Sequence, residues 1–136
     1  MLELFFATFR FSLDVGPRKT RIAGGQFSRF MQFSFGFEDD SDTIIDNLYQ
    51  MDFIGDATRD TARAFNDLFI IFKLYARSSV PKVLVVLTYG ESENNVKLEQ
   101  QANTLKTAGN VKILSIGVHD SPENLVTELG KISERV

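Results

Sequence analysis

An almost unbroken apolar run, rich in β-branched side chains, occupies positions 83–88 with the sequence V-L-V-V-L-T. Such a run is typical of a strand that is buried on both faces, as in a parallel sheet covered by helices. Pro81 precedes the run and Gly90 follows it. Ligands of open α/β sheets bind outside the carboxyl ends of the strands, so the loop 89–92 should rim any site of that kind.

Two shorter runs earlier in the chain predict an antiparallel hairpin. Arg21–Phe27 reads as a strand with Gly24 and Gly25 at its centre, where a ring or another backbone can pack closely. Phe30–Phe35 alternates between apolar and polar positions, and only Ser28-Arg29 separates it from the first run. This spacing favours pairing of the two strands.

Four segments repeat apolar residues at the spacing of an amphipathic helix. We expect the first to begin with Ser41 as its N-cap and the last to begin at Ser121-Pro122. The middle two are predicted over Ala62–Ala76 and Glu93–Thr107, and a second buried strand is predicted over Val111–Gly117.

The same spacing predicts which helical side chains face the core. They are Ile44, Ile45, Leu48 and Tyr49 in the first helix, Phe65, Leu68, Phe69 and Phe72 in the second, Leu98, Ala102 and Leu105 in the third, and Leu125, Val126, Leu129 and Ile132 in the fourth. Gly109 is predicted to end the third helix as its C-cap. Leu2–Leu13 fits a helical stripe and a strand alternation equally well, so the pattern leaves both open.

Alternating helices and strands predict an α/β fold. The sheet is expected to be doubly wound and mostly parallel, with the hairpin as an antiparallel edge. A chain of 136 residues suits a single domain over 1–136.

Composition narrows the classes of partner and cofactor. The net charge of −3 gives no electrostatic reason to expect a nucleic-acid partner. The chain has no cysteine, which excludes disulfides, thiolate metal sites and cysteine nucleophiles. No apolar run approaches the roughly 18–20 residues of a membrane span, so none is expected. The N-terminus lacks the basic start of a signal peptide and carries Glu3 and Arg10 within its apolar stretch.

Isolated polar residues offer little catalytic chemistry. His119 is the only histidine, and it has no serine or cysteine partner in a recognisable motif. The acidic run Glu38–Asp40 is interpreted as a solvated loop, because a calcium loop needs more oxygen ligands at regular spacing. No catalytic residue is predicted.

Four separated segments, taken in order, resemble the von Willebrand factor type A (VWA) domain. They are D-V-G-P-R-K-T-R-I-A-G-G-Q-F-S at 14–28, G-D-A-T-R-D-T at 55–61, V-P-K-V-L-V-V-L-T-Y-G-E-S at 80–92 and V-K-I-L-S-I-G-V at 111–118. The resemblance covers nearly all of the chain. It implies a Rossmann-like VWA fold, and it favours a helix at the N-terminus, where the pattern alone is undecided.

The family's usual function, adhesion, depends on a divalent cation in a metal-ion-dependent adhesion site (MIDAS). Its oxygen ligands come from an Asp-x-Ser-x-Ser motif after the first strand, a threonine before the third helix and an aspartate after the fourth strand. An acidic group of the partner completes the shell of the cation, commonly Mg²⁺, which prefers hard oxygen ligands.

This chain departs from that pattern at the metal ligands. Asp-x-Ser-x-Ser does not occur, and the chain begins after the position expected for the first, central strand. Tyr89 stands where the family has the aspartate, and only Thr58 still matches a ligand. The resemblance therefore implies a degenerate metal site and no bound cofactor, with Mg²⁺ expected only if the missing motif is supplied. Without the central strand, we expect Arg21–Phe27 and Val83–Thr88 to pair directly, to accept the N-terminal segment between them, or to form no stable sheet alone.

The function expected from the resemblance is non-enzymatic protein–protein interaction of the adhesion or extracellular-matrix type. Its partner would be a matrix or cell-surface protein, and its location would be extracellular. The predicted partner-binding residues are Asp56, Thr58, Tyr89 and Glu91. Two alternatives remain open: a truncated VWA fragment without independent function, and a doubly wound α/β enzyme or regulatory domain.

Overall fold

A computed structural model describes residues 13–52, 58–88, 91–117 and 123–133. The elements alternate as an α/β protein requires, and the predicted fold class is confirmed. They are β1 (Ile22–Phe27), β2 (Met31–Glu38), α1 (Ser41–Tyr49), α2 (Thr61–Tyr75), β3 (Lys82–Thr88), α3 (Asn95–Thr107), β4 (Val111–Gly117) and α4 (Glu123–Ile132). The ambiguous segment Leu2–Leu13 lies, except for its last residue, outside the described residues. None of the described helices is both long and apolar enough to cross a membrane.

The described residues form two compact units. The first takes its residues from Met1–Gln26 and Gln32–Gly55, and the second from Phe27–Met31 and Asp56–Val136. β1 and β2 form one two-stranded sheet, and β3 and β4 form another. Each described strand pairs with the other strand of its own sheet, and direct pairing of Arg21–Phe27 with Val83–Thr88, one of the three outcomes considered, is not among these described pairings.

The hairpin of β1 and β2 is antiparallel, as predicted. Its second strand continues to Glu38, beyond the predicted end at Phe35. Phe35 is buried and its ring lies against Gly24, where an added Cβ would meet the ring Cε1 at 2.4 Å. Gly24 is therefore required by the close approach of the ring, as its position in the sequence predicted.

The acidic turn before α1 caps the helix and carries an ion pair. Asp40, rather than the predicted Ser41, is the N-cap, and its Oδ1 accepts hydrogen bonds from the backbone N–H and the hydroxyl of Thr43, both at 2.8 Å. These hydrogen bonds lower the pKa of Asp40 below its ordinary value. Asp39 Oδ2 lies 3.3 Å from Nη2 of Arg21. The expected solvated loop Glu38–Asp40 is thus shorter than predicted, since Glu38 is the last residue of β2 and only Asp40 is exposed.

The inward face of α1 is narrower than predicted. Ile44 is buried, and Ile45 and Leu48 are half-buried. Tyr49 is 65% exposed, so its predicted inward position is wrong. It is the last residue of the helix, where the helix no longer has to present a face to its neighbours.

The second unit is built on a parallel ladder between β3 and β4, with register from Lys82↔Val111 to Thr88↔Gly117. Both α3 and α4 pack against β4, and α2 packs against α3. The predicted core stripe of α3 is confirmed, because Leu98, Ala102 and Leu105 are all buried. β3 is less buried than its apolar run predicted, since Val83 is 48% exposed.

The end of α3 uses a left-handed residue one position later than expected. The C-cap is Ala108, whose N–H donates to Thr104 O at 3.0 Å, and the predicted cap Gly109 donates to the same oxygen at 3.2 Å. Asn110 carries the positive φ of 51°. Gly109 is needed for a different reason, because a Cβ there would lie 2.6 Å from Leu105 O.

Candidate functional site

The carboxyl end of β3 leads into a loop that lies against two other segments of the second unit. Thr88, the last strand residue, is buried. Beyond the undescribed positions 89–90, Glu91 is half-buried and Ser92 is 7% exposed. We call this loop, the segment 58–60 before α2 and the turn 28–30 the binding edge.

Two hydrogen bonds join the loop after β3 to the segment before α2. Arg59 Nε donates to Glu91 O at 3.2 Å, and the Glu93 N–H donates to Arg59 O at 3.0 Å. Thr58, half-buried, precedes Arg59 in the chain. The structure therefore places the segments of two predicted site residues, Thr58 and Glu91, side by side. The other two, Asp56 and Tyr89, lie outside the described residues, as does His119.

The start of α2 fixes the third part of the edge. The Asp60 N–H donates to Ser28 O at 2.8 Å, while the Asp60 carboxylate caps the helix by accepting from the Arg63 N–H at 2.9 Å. The Arg63 guanidinium carbon lies 4.5 Å from the ring centroid of Phe30, within the range of a cation–π contact. The hairpin turn is thus held against α2 by one backbone hydrogen bond and one side-chain contact.

Glu128 of α4 binds the loop after β3 through hydrogen bonds from the loop backbone. Its side chain is buried, and its two carboxylate oxygens share the Ser92 N–H at 3.1 and 3.0 Å. Burial raises the pKa of Glu128, and Glu91 raises it further; the Ser92 N–H, Lys131 and Arg59 oppose this shift. Ser92 Oγ is also buried and has no hydrogen-bond partner among the described residues. The loop is therefore hydrogen-bonded to a carboxylate whose ionised form is destabilised by burial.

Glu128 was not singled out from the sequence, although its spacing carried a signal. It lies four residues before Ile132, which is buried as predicted. That spacing puts it on the inward face of the helix. Val126, which was predicted to face the core, is instead 62% exposed. A carboxylate within an apolar stripe indicates a buried polar partner, which here is the Ser92 N–H.

The described side chains of the edge do not fit a divalent cation. Among the described residues, no group of three acidic or histidine side chains is close enough to hold a metal ion. Thr58 supplies one neutral hydroxyl, and the oxygens of Glu128 already accept from Ser92. Mg²⁺ requires near-octahedral oxygen coordination, usually with one or two free carboxylates. We therefore derive no chemistry from a metal at this edge.

Comparison with known proteins agrees with this fold. Three solved structures of proximal thread matrix protein 1 from the mussel byssus match 97% of the chain, with TM-scores of 0.77, 0.80 and 0.84 at 21%, 21% and 19% identity. The match spans about a third of that protein, 33–34% of its chain. The structure with a TM-score of 0.80 has zinc in its MIDAS motif. A search of curated proteins gives no match.

The family comparison covers almost the whole sequence. The model of the von Willebrand factor type A domain matches residues 4–135, which include both units and every element of the binding edge. The chain therefore belongs to the von Willebrand factor type A domain family.

Proposed function

We propose that the chain is a non-enzymatic protein-interaction module of the adhesion or extracellular-matrix type, which binds its partner without a metal ion. Membership of the VWA family and the fold shared with a byssal matrix protein support this class of function. The proposed partner is a matrix or cell-surface protein, and the proposed location is extracellular.

The observation that carries the proposal is the hydrogen-bonded binding edge. The ties from Arg59 to Glu91 and from Glu93 to Arg59 hold two loops in one arrangement before a partner arrives. Preorganised loops lose less conformational entropy on binding, so more of the contact energy appears as affinity. On this edge we assign contact roles to Asp56, Thr58, Tyr89 and Glu91, with Tyr89 as the aromatic anchor typical of interface centres.

A metal-free mode follows from the donors on the edge. The family's metal aspartate is replaced by Tyr89, which cannot supply a carboxylate, and Thr58 alone cannot compete with the hydration shell of Mg²⁺. We propose that the MIDAS is lost and that no cofactor is required. Mg²⁺ would bind only if residues beyond this chain supplied the missing Asp-x-Ser-x-Ser motif.

A solid-phase binding assay with the full chain tests this proposal. Purified extracellular-matrix proteins are coated on plates. Binding is measured once in about 5 mM EDTA, which removes Mg²⁺, and once in about 5 mM MgCl₂, which supplies it. We expect at least one coated protein to bind equally in both buffers. Tyr89→Ala should weaken that binding about 30-fold, as expected for the loss of a hot-spot residue worth about 2 kcal/mol.

Tyr75→Ala is the matched control. Tyr75 lies at the end of α2 and is 67% exposed, so its removal deletes the same kind of side chain away from the edge. Binding that vanishes in EDTA would refute the metal-free mode, and an equal loss in both variants would refute the role of the edge. A folded chain that binds none of the coated proteins would favour the alternative, a VWA fragment without independent function.

A further inference from the structure

A polar cavity lies within the first unit, between the hairpin and the end of α1. Its volume is about 300 Å³. The lining is dominated by uncharged hydrogen-bonding side chains; its residues are Gln26, Gln32, Phe33, Ser34, Asn47, Gln50, Met51 and Asp52. Four of these eight carry carboxamides, and three of them are glutamines from a chain that has only five. Several carboxamides in one cavity suit a ligand that forms many hydrogen bonds.

The hydrogen bonds leave most of these groups available. Gln26 Nε2 donates to Asp52 O at 2.6 Å, which ties β1 to the segment after α1 and fixes one wall of the cavity. The side chains of Gln32, Asn47 and Gln50 have no hydrogen bond with any described residue. Each free carboxamide offers two N–H donors and one carbonyl acceptor. The cavity therefore presents donors and acceptors together, which a hydroxyl group can use in both directions.

The charges around the cavity disfavour an anionic ligand. No lysine or arginine lines the cavity, and Asp52 is its single ionisable residue. Gln50 is the C-cap of α1, so the carbonyl end of the helix lies beside the cavity. The C-terminus of a helix carries a partial negative charge, which repels anions. Phosphate, sulfate and carboxylate ligands are accordingly disfavoured.

The cavity volume and an exposed aromatic ring narrow the class of ligand further. A volume of about 300 Å³ equals roughly ten water molecules and lies at the lower end of ligand cavities. Phe33 is 39% exposed in the lining, although most phenylalanines are buried. The face of an aromatic ring is electron-rich and attracts polarised C–H groups. A pyranose ring combines such C–H groups with hydroxyls around its edge.

We propose that this cavity binds a neutral sugar ring, with the carboxamides of Asn47 and Gln50 holding its hydroxyls and Phe33 contacting its C–H face; Gln32, the strand neighbour of Phe33, directs its side chain to the opposite face of the hairpin. The site shares no residue with the binding edge and does not depend on the protein-interaction function. A glycan-bearing partner or a free saccharide would present the same ring, and the ring is the recognised group.

NMR titration of the ¹⁵N-labelled full chain tests the proposal. The probes are methyl β-glucoside, methyl β-galactoside, methyl α-mannoside and N-acetylglucosamine, each added to about 100 mM, well above the millimolar Kd expected for a ligand of this size. At least one sugar should shift the side-chain NH₂ signals of Asn47 and Gln50 in a saturable way. Sodium sulfate at the same concentration should not.

Two variants separate binding from folding. Asn47→Ala removes one carboxamide from the middle of α1, where alanine favours the helix, and should weaken the sugar about three- to tenfold. Gln100→Ala removes a carboxamide from the exposed face of α3 and should leave the Kd unchanged.

Three results would overturn the proposal. They are no saturation with any of the sugars, equal weakening in both variants, and saturation of the same signals by sulfate or by the peptide-group probe N-methylacetamide in place of the sugars.

Discussion

Replacing Gly24 by alanine should destabilise the hairpin because of one close contact. A Cβ at this position would lie 2.4 Å from Cε1 and 2.5 Å from Cζ of Phe35. Carbon atoms settle at roughly 3.5–4.0 Å, so the ring must move by about 1 Å or more. Phe35 is only 7% exposed, and such overpacking of a buried ring costs about 1–3 kcal/mol.

Gly36→Ala provides the matched comparison. Gly36 lies in the neighbouring strand β2, and an added Cβ there meets no atom within 4 Å. Neither glycine has a positive φ, so neither substitution strains the backbone. Both variants gain the same roughly 0.5–1 kcal/mol by restricting the unfolded chain. The difference between them therefore isolates the contact with Phe35.

Urea unfolding followed by far-UV circular dichroism measures that difference. With an m-value of about 1–3 kcal/mol/M, the midpoint of Gly24→Ala should lie about 1 M below that of Gly36→Ala. Adding Phe35→Leu to Gly24→Ala makes room for the methyl group and should give a coupling energy of at least about 0.5 kcal/mol in a double-mutant cycle. Equal midpoints for the two alanine variants, or additive effects in the cycle, would refute the packing argument.

Two further predictions concern the second unit. Burial raises the pKa of Glu128, so its ionised form opposes folding. The free energy of unfolding of the wild type should therefore rise relative to that of Glu128→Gln as the pH falls from above the raised pKa towards the ordinary value of 4.5. A stability difference that stays constant between pH 7.5 and 4.5 would contradict this. The side chain of Asn94 accepts from the Lys97 N–H at 3.0 Å as the N-cap of α3, so Asn94→Ala should lower the free energy of unfolding by about 1 kcal/mol. Asn103→Ala, on the exposed face of the same helix, should not lower it, and thermal unfolding of the two variants decides the matter.

The elements that the sequence predicted well are those whose signal is local. Val111–Gly117 is a strand over its full predicted range, and the spacing of Leu98, Ala102 and Leu105 identified the buried face of α3. In both cases the spacing of apolar residues along the chain indicates the element and its buried side chains, so no distant contact is needed to interpret the pattern. The N-cap of α1 was misplaced by one residue because Asp40 and Ser41 are both good caps, and only the extended backbone of Asp40 distinguishes them.

The candidate site was less accessible to sequence reasoning, because its contacts join distant segments. Glu128 and Ser92 are 36 residues apart, and Arg59 and Glu91 are 32 apart. Family resemblance supplied Thr58 and the loop after β3, but nothing in the sequence indicated that Arg59 joins them. The cavity of the first unit was also missed, since its carboxamides come from β1, β2 and α1 and no linear pattern connects them.

The hydrogen bonds of the binding edge are made largely by main-chain atoms. The bonds that join its segments use the N–H groups of Asp60 and Glu93 and the carbonyl oxygens of Ser28, Arg59 and Glu91, with Arg59 Nε as a side-chain donor. The carboxylates of Asp60 and Glu128 add side-chain acceptors, for the N–H groups of Arg63 and Ser92. Exchange of the side chains at positions 91 and 93 leaves those atoms in place. The edge is therefore a surface on which sequence can change faster than shape, as in the loops of an antibody. A display library varied at these positions, with Arg59 kept constant, should yield binders with new specificities on an unchanged backbone.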